Sequence, residues 1–199
     1  MKKILSISVG SSSRDHTTRH TFLGQECELS RQGTDGDFDK AVQRYHDMDG
    51  QVDAFGVGGV EFFLRVGQRR YYFRDVSRIR RAVKISKIGD GNGVKGLLER
   101  RAFTTLEKHL NEKENRTLRG LPALLTTAVD RYGMGEAMLD AGLDLTIGDF
   151  MFTLGLPLPI RKLSTVRVVA ATLLPVITRM PFSWFYALGS EQEIGRAHV

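Results

Sequence analysis

The run Gly91-Asn92-Gly93-Val94-Lys95-Gly96 has the spacing G-x-G-x-x-G. Placed after a strand and at the start of a helix, such glycines let the backbone approach a pyrophosphate, and the free N–H groups of the first helical turn attract its charge. Lys95 adds a cation at the same place. The acid that reads a ribose in such sites stands about twenty residues further on, where this chain offers only Glu112 and Glu114. Asp130 and Arg131 lie further along, and one of them is expected to meet the ribose side. A plain tight turn accounts for the same glycines.

A second convergence is Val9-Gly10-Ser11-Ser12-Ser13-Arg14. Its hydroxyls, backbone N–H groups and arginine could hold a phosphate or carboxylate, with Ser11 and Ser12 as the contacts. A polar connection would have the same composition. Asp130 and Asp149 each follow an expected strand, and ligands of parallel α/β sheets collect outside the carboxyl ends of strands. Lys95 and Asp149 are therefore the residues expected to polarise or deprotonate a hydroxyl. The alternative is that the two aspartates cap helices. Arg131 could neutralise a phosphate or pair with Asp130.

His16 and His20 would share a face of a helix, but Thr17 and Thr18 favour extended chain and no glutamate completes a zinc motif, so no metal site is expected. Between Arg65 and Arg101 twelve Lys/Arg face three acids. With Tyr71, Tyr72 and Phe73 interleaved, this band could bind nucleic acid. The acidic balance elsewhere disfavours that partner, and an anionic cofactor would use the same charge.

These residues need elements to hold them. Ile4 to Val9 alternates as a strand, and Thr21 to Leu23 and Glu26 to Leu29 suit a hairpin. Thr34 to Asp37 offers capping oxygens for a helix with Phe38, Ala41, Val42 and Tyr45 on one face. A strand is expected at Val52 to Val57 and a second hairpin at Phe62 to Val66 with Tyr71 to Phe73. Asp75 should cap a helix burying Val76, Ile79 and Val83. A short strand near Ile85 to Ile88 precedes the glycines and a helix over Val94 to Leu110. Leu121 to Val129 reads as a buried strand, Gly133 to Ala141 as a helix ended by Gly142, and Leu143 to Ile147 as the next strand. The apolar stretch Val168 to Leu188 is interrupted by Arg179, Pro175 and Pro181, which favours a buried helix over a membrane span.

The 199 residues carry a formal net charge of +6 and one cysteine, Cys27. A lone cysteine excludes a disulfide framework and multi-cysteine metal sites, and Met1-Lys2-Lys3 leads into a run too short for a signal core, so the cytoplasm is the expected compartment. Ile194 to Val199 reads as a translated short-read sequencing adapter and is expected to be foreign, with the natural protein continuing beyond it.

Several runs resemble a bacterial family labelled quinate 5-dehydrogenase. They are Val9 to His16, Gly33 to Asp37, Val52 to Gly59, Ala128-Val129-Asp130-Arg131-Tyr132-Gly133-Met134, Gly148-Asp149-Phe150 through Pro157 to Arg161, and Met180 to Trp184. The resemblance implies oxidation of a ring hydroxyl of quinate with NAD or NADP and a Rossmann cofactor domain; it carries no residue roles. The expectation is an α/β, Rossmann-like protein with a mostly parallel sheet, crossover helices and N-terminal hairpins over residues 1–193, with sub-lobes 1–84 and 85–193. Gly91, Gly93 and Gly96 would meet the pyrophosphate. A small anionic metabolite is the expected partner, with a homo-oligomer as a further option. A metabolite-binding or sensor protein without turnover is the alternative from another class.

Overall fold

The computed structural model describes residues 1–181 and Trp184. Residues 194–199 and most of the segment beyond Met180 therefore lie outside the described residues. In chain order the elements are β1 (Lys2–Ser8), β2 (His16–Phe22), β3 (Gln25–Gly33), α1 (Phe38–Met48), β4 (Ala54–Gly58), β5 (Phe63–Val66), β6 (Arg69–Tyr72), α2 (Val76–Ala82), β7 (Lys87–Gly89), α3 (Asn92–Glu114), β8 (Pro122–Leu125), α4 (Tyr132–Asp140), β9 (Asp144–Ile147) and α5 (Leu163–Ile177). The chain is mixed α/β and divides into two compact units. The first comprises Met1–Phe62, Tyr72–Gly91 and the segment from Thr178; the second comprises Phe63–Tyr71 and Asn92–Ile177. The division thus falls at Gly91, with β5 and β6 up to Tyr71 counted in the second unit.

The first unit is built on a five-stranded sheet of order β2-β3-β1-β4-β7. β1 runs parallel to β3 and β4, β4 runs parallel to β7, and β2 closes one edge antiparallel to β3. The expected N-terminal hairpin is therefore part of the main sheet. Alternation of apolar residues in β1 buries Leu5 and Ile7, and Val9 follows in the same phase, with Ser8 buried between Ile7 and Val9. Tyr45 of α1 is fully buried, stacks edge-on to Phe55 at 5.2 Å, and donates its hydroxyl to Ile7 O at 2.8 Å. Burial pushes the Tyr45 phenol well above its ordinary range. Asp37 caps α1 as expected, accepting from Lys40 N at 2.8 Å.

Two local expectations change. Asp75 precedes α2 but makes no side-chain cap. β7 starts at Lys87 rather than Ile85, because the Asp49 carboxylate accepts from the N–H groups of Lys84, Ile85 and Ser86. A carboxylate that takes three successive amides holds that backbone as a turn. The same hydrogen bonds lower the Asp49 pKa, that of Ser86 first.

In the second unit β8 and β9 pair parallel, and β5 and β6 form a separate hairpin. β8 is shorter than the run Leu121 to Val129 suggested. Its ladder stops at Leu125, because the N–H groups of Ala128 and Val129 turn to the Asp149 carboxylate at 2.8 Å each. α4 ends on Gly142 at φ +80°, with Leu143 N bonded to Met138 O, the left-handed termination that the glycine foretold. α4 packs closely at Gly135, where a Cβ would stand 2.9 Å from a Leu163 methyl and 3.2 Å from a Leu125 methyl, so that those leucine side chains would have to shift. α5 buries Leu163, Val166, Ala170 and Leu174 at helical spacing and contains Pro175. No helix among the described residues is long and apolar enough to cross a membrane.

Candidate functional site

α3 opens at Asn92, directly after β7 and the turn Asp90-Gly91, so the glycine run does sit between a strand and a helix. Gly91 adopts φ +78°, a conformation that glycine takes without strain. A Cβ added at Gly93 or Gly96 would meet no atom within 4 Å. The first turn of α3 is therefore open on the side these glycines leave bare. α3 leads out of the five-stranded sheet into the two-stranded β8–β9 pair, so β7, α3 and β8 do not form a crossover within one sheet.

Lys95 extends from that first turn and donates to Asp130 O at 3.0 Å and Asp130 Oδ1 at 3.1 Å. Four residues along the same helix, Glu99 is only 7% exposed and accepts from Arg131 Nη1 at 3.0 Å. Arg131 Nε lies 3.2 Å from Asp130 Oδ2. Charges thus alternate from Lys95 through Asp130 and Arg131 to Glu99, joining α3 to the segment after β8. Arg65 of β5 lies 4.0 Å from Glu136, and its guanidinium would be 3.7 Å from a Cβ on Gly133. Lys95, Arg131 and Arg65 face Asp130, Glu99 and Glu136, so the cluster is formally neutral.

Three of the residues singled out in the sequence, Lys95, Asp130 and Arg131, come together here. Asp149 lies beside them in a different role: both its oxygens are taken by the backbone that leads to Asp130. It positions the segment and does not present a free base. A single π-helical turn, Asp149–Thr153, follows it. Glu99 was missed, because an acid in a long polar helix reads as solvated. Its spacing of four from Lys95 was the available signal, and only the tertiary partner Arg131 gives that spacing meaning.

Ser11 and Ser12 stand in the first unit, and their loop is closed by the protein's own acids. Ser12 N donates to Asp35 Oδ1 at 2.6 Å, which together with the Ser12 side chain lowers the Asp35 pKa. Arg31 pairs with Asp15 at 2.8 Å and also reaches Ser11 O. Asp15 further accepts from Gly33 N at 2.6 Å. Of the donors expected to hold an external anion, Ser12 N is thus taken by Asp35, and the Ser11 hydroxyl bonds Ser13 within the loop. Among the described residues no group of three or more His, Cys, Asp or Glu could hold a metal ion. In the arginine-rich band, Arg78 pairs with Asp39 at 2.7 Å, and Arg70 lies over the Phe63 ring at 4.9 Å.

Residues 3–90 match a family model described as a domain of unknown function, DUF8753, and residues 93–199 match another described as a domain of unknown function, DUF8754. The boundary between the two matches coincides with the division after Gly91. The second match runs through the six residues expected to be foreign. No curated protein and no solved structure matches the chain.

Proposed function

We propose that the chain, which belongs to the DUF8754 family through residues 93–199, is an oxidoreductase exchanging a hydride between a nicotinamide cofactor and a small hydroxylated acid. The observation that carries this reading is the Lys95–Asp130 pair, with Nζ 3.1 Å from the carboxylate and the lysine side chain 16% exposed. A lysine held against an aspartate beyond the carboxyl end of a parallel strand is suited to moving a proton on and off a substrate oxygen. In the reducing direction the Lys95 ammonium gives a proton to the carbonyl oxygen as the hydride reaches its carbon; oxidation is the reverse, with the amine accepting the hydroxyl proton. Asp130 steadies the ammonium, Arg131 and Glu99 fix Asp130, and Asp149 holds the backbone beneath them.

The resemblance to the quinate 5-dehydrogenase family supports the reaction type. The bare first turn of α3 at Gly93 and Gly96 suits the pyrophosphate of NAD or NADP. When bound, the nicotinamide would supply or accept the hydride. The finer description of the fold as Rossmann-like rests on this same strand–glycine–helix join.

The test is calorimetric titration of NAD, NADH, NADP and NADPH into the full chain and into Gly93→Asp. A side chain at Gly93 meets nothing within 4 Å, so the variant keeps its fold while placing a carboxylate where a pyrophosphate would lie. Saturable binding of one cofactor, weakened at least about tenfold in the variant, is expected. Failure of all four to bind sinks the reading. A second reading, a metabolite-binding protein without turnover, is favoured by the way Lys95, Asp130, Arg131 and Glu99 already satisfy one another. Quinate binding without hydride transfer would select it.

A further inference from the structure

Further along α3 the second unit carries a cleft of about 500 Å³ that the Lys95 cluster does not use. Arg100, Phe103, Thr104 and Glu107 line one wall at helical spacing, and Ala137 and Ala141 of α4 line the other. Arg119 lies in the chain between α3 and β8 and completes the rim with Thr117. The volume falls within the range of small-molecule sites.

The charges in the cleft are not equivalent. Glu107 is bound inward: it accepts from Thr117 Oγ1 at 2.7 Å, Leu118 N at 2.7 Å and Asn111 Nδ2 at 3.2 Å. These bonds lower its pKa, that of Thr117 first, and Arg119 contributes a smaller electrostatic pull. Glu107 thus ties down the segment that carries Arg119. Among the described residues neither the Arg100 nor the Arg119 guanidinium makes a hydrogen bond or ion pair, and Asp140 on the rim pairs with neither. Two guanidiniums with donors to spare thus line a cleft that Phe103, Ala137 and Ala141 line with apolar surface.

We propose that this cleft is a second ligand site, separate from the Lys95 cluster, that takes a small organic carboxylate. The carboxylate is held by Arg100 and Arg119, and a ring or short alkyl body lies on Phe103 between the two alanines. Guanidinium forks match carboxylates in geometry as well as charge, and the apolar walls reject inorganic anions that lack a body to bury.

Sodium benzoate is the probe, titrated into the isotope-labelled full chain and followed by amide chemical shifts, with benzyl alcohol as the neutral isostere. Saturable shifts confined to residues 100–107, 117–119 and 137–141 are expected for benzoate, with benzyl alcohol at least about tenfold weaker. The double variant Arg100→Gln/Arg119→Gln should weaken benzoate to a similar degree. Thr104→Trp, at an exposed position on the wall, should block it by filling the cleft. The inference is overturned if benzoate gives no saturable shift there, if benzyl alcohol binds equally well, or if removal of both arginines changes nothing.

Discussion

Asp15, Asp35, Asp49 and Asp53 in the first unit and Asp130 and Glu99 in the second are all paired carboxylates, yet they are paired with different things. The first four are each anchored by backbone N–H groups, those of Gly33, Ser12, the run Lys84 to Ser86, and Lys3, although Asp15 and Asp53 also pair with Arg31 and Lys2. Asp130 and Glu99 instead meet side-chain cations, Lys95 and Arg131. A main-chain amide cannot leave its partner without moving the chain, so carboxylates of the first kind belong to the architecture. A lysine or arginine can swing to a substrate and back at the cost of a rotamer change, so those of the second kind can take part in chemistry. Asp149 shows that the rule follows the bonding and not the unit: it lies beside the cluster but binds Ala128 and Val129 amides.

The comparison breaks most readily at Gly33. A Cβ there would stand 2.5 Å from the carbonyl carbon and oxygen of Ser11, which are backbone atoms and cannot rotate away. Gly33→Ala should therefore cost about 3 kcal/mol of stability, read from denaturant melts. A loss below about 1 kcal/mol would show that the Ser11-Ser12 turn yields easily and that its closure by Asp35 and Asp15 is not structural.

A smaller effect is expected from acid. Hydrogen bonds hold the Asp35, Asp49 and Asp53 carboxyls below their ordinary values in the folded chain. A depressed folded pKa means that the unfolded chain binds protons first on the way down. The stabilisation is thus full above the unfolded aspartate value, about pH 4, and is lost as pH falls through the lower folded values. Asp49→Asn should be less stable at neutral pH and show a shallower decline between about pH 5 and 2. An unchanged acid limb would mean that the amides of Lys84 to Ser86 are held by something else.

Much of the fold was legible because its signals are local. Alternation marked β1, the spacing of Phe38, Ala41 and Tyr45 marked α1, and Gly142 marked the end of α4. What escaped depended on partners distant in sequence. Leu121 to Val129 is apolar enough for one long strand, but the Asp149 carboxylate, about twenty residues on, captures its last amides and turns the chain. The serine loop invited an anion, and nothing local reveals that Asp35 already occupies Ser12 N. At the candidate site, Lys95, Asp130 and Arg131 were visible as charged residues next to turns and strand ends. Glu99 and the cleft at Arg100 and Arg119 were not, because both exist only where α3 meets the segments around α4.

The most direct test of the central claim is the rate of hydride transfer, followed by nicotinamide absorbance with the full chain, quinate and related hydroxy acids, for wild type and Lys95→Met. Turnover by the wild-type chain is expected, with a fall in kcat of about 100-fold or more in the variant and a folded variant that loses no more than about 3 kcal/mol of stability, since Asp130 keeps Arg131 as a partner. A variant that turns over as fast as wild type, or a wild-type chain that binds cofactor and acid but moves no hydride, would contradict it.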